Sequence, residues 1–281
     1  MKRYFLFDTI LQSEKAPSLA IAARSLLEFL NLDVPSLKEA KADVGSEMMA
    51  LGKHAFVLHN AYTLSLCAKE GGALVCVENS AFISLQLTKE TLANEPALRD
   101  AVALSLSAKG LELDLHIDIL TFETFLLNEV GMEKLSSLVK HPFSDFYVAH
   151  FFSTSFCQAR KFTDLGLTCK LLSMLQAKKV TFESCYESDG FEVLDISEKL
   201  AYKLGSTTML DMFDNAADMV LVDDARSFIM FDFYQKALEK SAGREIELPV
   251  VSLAQILLLA FGVHDKAKLG FTKHKIPVTL I

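Results

Sequence analysis

Glycine is scarce in this chain, 12 of 281 residues, and nowhere forms G-x-G-x-x-G or a Walker loop, so a cradle of backbone amides for phosphate has no basis. Cysteine is scarcer still. Cys67, Cys76, Cys157, Cys169 and Cys185 are odd in number, scattered, and contain no C-x-x-C pair. That spacing excludes a disulfide framework and a zinc ribbon, and most of these thiols are expected to be buried. A formal charge of −8, a pI near 5.4 and the lack of any Lys/Arg cluster remove nucleic acid as a partner. Apolar runs such as Ile256–Val263 fall far short of the roughly 20 residues that a transmembrane segment needs. The opening MKRYFLFDTIL is interrupted by Asp8 and lacks a small-residue cleavage site; it does not read as a signal peptide, and the cytoplasm is the expected compartment. There is no G-x-S-x-G elbow and no H-E-x-x-H, and His54 and His59 stand about 140° apart on one helix rather than stacked for a metal.

Core-forming residues are plentiful. Hydrophobic residues at 51% against 23% charged exclude a disordered chain, and the length suits one large domain or two modest ones. Arg3–Phe7 reads as a short buried strand, followed by a helical stripe through Leu19, Ala22, Ala23, Leu26, Leu27 and Leu30. Glu47–Lys69 reads as a helix, stopped by Gly71-Gly72 ahead of a strand over Ala73–Val77; helices over Phe82–Leu92 and Ala97–Ala108 follow. Ile117–Lys140 reads as helix, and Pro142 marks a boundary. The pattern then restarts: strands at Tyr147–Phe152, Val180–Phe182 and Met219–Val222, and helices within Cys157–Gln176 and over Ile196–Asn215, Phe228–Ser241 and Leu253–Phe261. Strands alternating with helices predict a mostly parallel sheet.

Lined up, the halves repeat after about 145 residues: Tyr4–Thr9 (YFLFDT) against His150–Thr154 (HFFST), and Ala73–Phe82 (ALVCVENSAF) against Met219–Phe228 (MVLVDDARSF). Repeats this long indicate a duplicated domain rather than a solenoid. The expected fold is α/β, with two pseudo-symmetric Rossmann-like lobes, residues 1–142 and 143–281, each a small mostly parallel sheet flanked by helices.

Four stretches carry a family resemblance: Ala20–Leu32, Gly71–Leu85, Phe125–Pro142, and Leu248–Val263 with Leu269-Gly270-Phe271 and His274 after it. Through them the chain resembles, over nearly its whole length, the B subunit of heterodisulfide reductases and related proteins with duplicated cysteine-rich domains. The resemblance implies a Gly-Cys after the first strand of each half, a Cys-Cys-Gly loop, and a C-x-x-C opening a later helix, which together bind four-iron clusters. Here the matching positions hold Asp8-Thr9, Asp43-Val44-Gly45, and Glu78 with Ala81 in the first half. In the second they hold Ser153-Thr154, Ser188-Asp189-Gly190, and Asp224 with Ser227. Iron–sulfur clusters need thiolate ligands, so no cluster is expected and the family's electron-transfer role does not carry over. Cys76, near one lost pair, lies inside an apolar strand.

The positions singled out are therefore Thr9, Asp43, Glu78, Thr154, Asp189 and Asp224, with Asp223 beside them. Carboxylates at the carboxyl ends of parallel strands suit a cation or ligand site. Capping is the preferred reading, because Asp224 and Ser80 each precede a helix and the acids of the two halves need not face one another. His150 reads as a structural residue of an apolar strand rather than a partner of Ser153, Thr154 or Asp189 in a nucleophile system. Phe151, Phe152, Phe228, Phe231 and Phe233 read as core, and Leu253–Phe261, apolar all round, as either central core or a docking surface. The expected function is that of a non-catalytic scaffold or regulatory subunit with protein partners, reductase subunits among them; the alternative is a small-ligand binder or enzyme using an acidic inter-lobe cleft.

Overall fold

The computed structural model describes residues 2–10, 14–164 and 166–279. The first half runs β1 (Tyr4–Phe7), α1 (Pro17–Phe29), α2 (Met48–Leu51), α3 (Lys53–Glu70), β2 (Ala73–Cys76), α4 (Asn79–Asn94), α5 (Pro96–Ser107), β3 (Ile119–Thr121), α6 (Phe122–Glu129) and α7 (Met132–Leu138). The second runs β4 (Tyr147–His150), α8 (Thr154–Ala159), α9 (Gly166–Met174), β5 (Lys178–Lys179), α10 (Glu198–Asp214), β6 (Met219–Leu221), α11 (Ala225–Phe228), a π-helical turn (Ile229–Phe233), α12 (Gln235–Ala242), β7 (Val250–Val251) and α13 (Leu253–Ala260).

Both sheets are parallel, as the strand-helix alternation predicts. One has the order β1-β2-β3, with Ser36 bridging Leu6 on the outer side of β1; the other has the order β5-β4-β6-β7. With Ser36 counted, the two orders correspond strand for strand, so the internal repeat is a repeat of topology. The central strands β2 and β6 are short and buried on both faces, which is why they read as unbroken apolar runs.

Several boundaries differ from the sequence reading. The helix expected over Glu47–Lys69 is interrupted at Gly52, whose extended backbone separates α2 from α3. Ile117–Lys140 opens as β3 and breaks at Gly131. Its first residues pair with β2, in the register Val75↔Leu120, and the rest forms two short helices. The strand expected at Val180–Phe182 pairs earlier, at Lys178–Lys179, where exposed lysines suit a sheet edge. Tyr234 N–H donates to the Ile229 carbonyl at 3.0 Å, five residues back, which widens the helix expected over Phe228–Ser241 into a π turn. Ser80 is not a cap but sits in the first turn of α4, which begins at Asn79.

Hydrophobic contacts do not stop at Pro142. One buried cluster joins Leu6 and Val75 of the first sheet to Val148, Leu221 and Val251 of the second through Leu26 of α1 and Leu257 of α13. Every residue of α13 is buried, which resolves its all-round apolarity as central core. At its N-terminus Ser252 N–H donates to Gln255 Oε1 at 2.8 Å. Phe151, Phe228 and Phe231 fill a second cluster, with Phe151 and Phe231 edge to face at 5.0 Å.

Candidate functional site

Parallel strands deliver their carboxyl ends to one side of a sheet, and the two sheets bring those ends together. β2 leads to Glu78 at the start of α4; β6 leads to Asp223 and Asp224 at the start of α11. The two chain segments touch directly: Asn79 N–H donates to the Asp223 carbonyl at 3.1 Å, and Ala225 N–H donates to Glu78 Oε2 at 3.0 Å. A carboxylate of the first half thus caps a helix of the second. Asp224 Oδ1 accepts from Ser227 N–H at 2.9 Å, the expected cap. Asp189 completes the group, accepting from Ser227 Oγ at 2.7 Å and Phe191 N–H at 2.8 Å.

Asp43, Glu78, Asp189 and Asp224 are all buried in this seam between the halves, so the acids of the two halves do converge. Arg226 reaches into it from α11, donating to the Val44 carbonyl at 2.9 Å and pairing with Glu47. Gly45 makes that approach feasible: its φ is +87°, and a Cβ there would overlap the Arg226 guanidinium. Gly190, its counterpart in the second half, has φ +90°, and a Cβ there would overlap the Ala201 carbonyl oxygen. Thr9 and Thr154 do not join the seam's hydrogen bonds. Thr9 is half-buried after β1, beside an Asp8 held by Ser36 and Arg24, and Thr154 is exposed on the first turn of α8.

Burial dominates the electrostatics. It pushes the Glu78 carboxyl up to about 8, with Asp43 adding repulsion, and the Asp189 carboxyl up to about 7, with Glu192 adding to it. Glu123, at the start of α6, is likewise pushed up to about 7 by burial and by Asp223. Glu78, Glu123, Asp223 and Asp224 line a void of about 20 Å³.

His150 ends β4 with its ring fully buried, and its Nε2 lies 2.8 Å from Asp223 Oδ2. Its partner is Asp223, not Ser153, whose hydroxyl instead accepts from Phe156 N–H at the start of α8. Burial alone would lower the imidazole's pKa; the Asp223 charge and hydrogen bond outweigh it and hold it up at about 9. Cys67 and Cys76 are buried, whereas Cys157, Cys169 and Cys185 are only partly so, fewer buried thiols than expected. Among the described residues, no three His, Cys, Asp or Glu side chains are grouped to hold a metal ion.

Sequence reasoning missed Glu123 and Arg226. Glu123 was hidden because its segment read as continuous helix; read as a strand, Ile119–Thr121 places the next acid at a strand end.

The fold defines an α/β protein of two duplicated parallel sheets. Residues 191–275 match the HdrB-like C-terminal domain family. Over 279 residues the chain is 22% identical to the B subunit of the ferredoxin/F(420)H(2)-dependent CoB-CoM heterodisulfide reductase of Methanosarcina acetivorans, covering 93% of this chain and 90% of that protein. It is also 28% identical over 157 residues to the 8-methylmenaquinol:fumarate reductase membrane anchor subunit of Wolinella succinogenes, covering 53% of this chain and 54% of that protein. The crystal structure of a hypothetical protein from Helicobacter pylori matches the fold across 100% of this chain and 53% of that one, with a TM-score of 0.85 and 22% identity. The chain thus spans about half the length of that anchor subunit and of that solved structure. The sequence matches support kinship with HdrB-like proteins. Among the described residues no helix is long and apolar enough to cross a membrane.

Proposed function

We propose that this chain is a cluster-free HdrB-like subunit, a scaffold or regulatory component that docks on protein partners, with reductase subunits as the first to test. Both curated relatives are named as subunits, which supports an assembly role. The observation that carries the cluster-free reading is the carboxylate seam. At the positions where the resemblance implies cluster thiolates, Glu78, Asp189 and Asp224 are engaged with backbone amides and Ser227 of this chain. Oxygen ligands of this kind do not match the softness of iron–sulfur chemistry, so the residues present do not fit a cluster.

A small-ligand site in the seam is the weaker reading. A void of about 20 Å³ has space for about one water, and carboxyls held near or above neutrality attract cations poorly. Anaerobic purification followed by a visible spectrum and iron and sulfide analysis tests the proposal. A colourless protein free of iron is the expected result; stoichiometric iron and sulfide overturn it. Sedimentation with purified flavoprotein and iron–sulfur reductase subunits tests the docking part, where a shared boundary supports it and independent sedimentation counts against it.

A further inference from the structure

Apart from the seam, two exposed histidines far apart in sequence meet at the surface. His141 lies in the linker between α7 and β4, and His264 follows α13. The backbone brings them together. Lys140 N–H and His141 N–H both donate to the Ala260 carbonyl, at 2.8 and 2.9 Å, which ties the linker to the last turn of α13. Gly262 then turns the chain at φ +87°, a conformation that favours glycine, and a Cβ there would touch His141 Cδ2 and Nε2 at 3.6 Å. Gly262 N–H and Val263 N–H close on the Leu259 and Leu258 carbonyls at 2.9 and 3.0 Å, so both histidine segments are held by one helix end. The two ring centroids are 5.4 Å apart, with the planes inclined at 57°. Two imidazoles bound to one tetrahedral Zn²⁺, with Zn–N about 2.0–2.1 Å, put their ring centres about 5 Å apart. His59, His150 and His274 commit ring nitrogens to hydrogen bonds; among the described residues neither ring of this pair does so, and their nitrogens are available as ligands. The negative end of the α13 dipole favours a cation beside them.

We infer that His141 and His264 together bind a divalent transition metal of the Zn²⁺ class, with water completing its coordination, and that the metal clasps the linker between the halves to the end of the core helix α13. Imidazole suits Zn²⁺ and its neighbours Ni²⁺ and Cu²⁺, whereas Mg²⁺ and Ca²⁺ prefer oxygen. Asp265, the next residue, is engaged elsewhere: its Oδ1 accepts from Ala267 N–H at 2.8 Å and Lys268 N–H at 3.4 Å. Among the described residues no third His, Cys, Asp or Glu joins the pair, so the site is open and its metal exchangeable, unlike a closed four-ligand structural zinc. A metal held only by the folded chain stabilises it by mass action. The site is independent of the seam acids and does not rest on the scaffold reading.

The test uses the full chain, stripped of metal and free of any histidine tag, titrated calorimetrically with zinc chloride. A single saturable site is expected. His141→Ala and His264→Ala should each weaken it by about tenfold or more, while His54→Ala, which removes an exposed histidine of α3, leaves it unchanged. Zinc should raise the melting temperature of the wild type and of His54→Ala, and not of the other two variants. A second measurement needs no variant: diethylpyrocarbonate labelling read by peptide mass spectrometry. Zinc should protect His141 and His264 together and leave the exposed His54 and His116 reactive. No saturable binding, binding that survives either substitution at the pair, or protection of one ring alone overturns the assignment and leaves the two rings a packing contact.

Discussion

Glu78 of the first half accepts a hydrogen bond from the Ala225 amide of the second at 3.0 Å, joining the two repeats through the N-terminus of a helix. Positive helix-end charge favours an acid there, while burial opposes its ionisation.

Two substitutions separate these effects. Glu78→Ala leaves the Ala225 amide without its acceptor and should destabilise the fold by about 1–3 kcal/mol. Glu78→Gln keeps an acceptor and removes a reluctant charge, so it should stay within about 1 kcal/mol of wild type near pH 6 and be the more stable form near pH 9. Urea denaturation at both pH values reads the difference. An equal loss in both variants at both pH values would show that the acceptor is not what matters.

Stability should fall as pH rises from about 6 to 9. A carboxyl whose pKa is higher in the fold than in the unfolded chain contributes fully below the unfolded value and loses that contribution as pH climbs through the folded one. Glu78 at about 8, with Glu123 and Asp189 at about 7, therefore weaken the fold across this window. His150, raised to about 9, has the same sign, because its proton belongs to the pair with Asp223. Each such group contributes about 1.4 kcal/mol per pH unit at most. His274 acts oppositely below about pH 6.5: burial lowers it to about 4, so acid destabilises it. Because the three buried acids lose stability from their unfolded values near about 4 upward and His274 opposes them with a single group, thermal melts should peak at about pH 4–5 and decline toward pH 9; a curve flat or rising toward pH 9 contradicts the buried acids.

The paired glycines make a comparative prediction. Gly45→Ala and Gly190→Ala both place a Cβ at a left-handed φ, costing about 1 kcal/mol or more. At Gly45 the obstructing atoms belong to the Arg226 side chain, which can swing; at Gly190 the obstruction is the Ala201 backbone. Gly190→Ala should therefore be the worse of the two by calorimetry. The reverse order would mean that the Arg226 contacts outweigh backbone strain.

Much of the fold was legible because buried parallel strands and amphipathic helices have distinct periods. β1, β2, β4 and β6 lie where apolar runs placed them, and α1, α3 and α10 follow their stripes. β3 and β7 were not legible. At two or three residues each, with a helix beginning at once, they carry no period of their own and exist through pairing with β2 and β6. The four seam acids were visible as replacements in a repeated pattern, but their convergence was not, since it depends on how the sheets face each other. Asp223 pairing with His150 is equally non-local, joining residues from different strands.

The α1 helix rests on α13, and Leu26 and Leu257 share one core although nearly the whole chain lies between them. On a ribosome adding about 5–20 residues per second, α1 would wait on the order of ten seconds or more for that partner. Meanwhile the face carrying Leu19, Ala22, Ala23 and Leu26 stays open to solvent, so this protein is expected to fold after synthesis rather than lobe by lobe, and to depend on whatever shields that face in the interval.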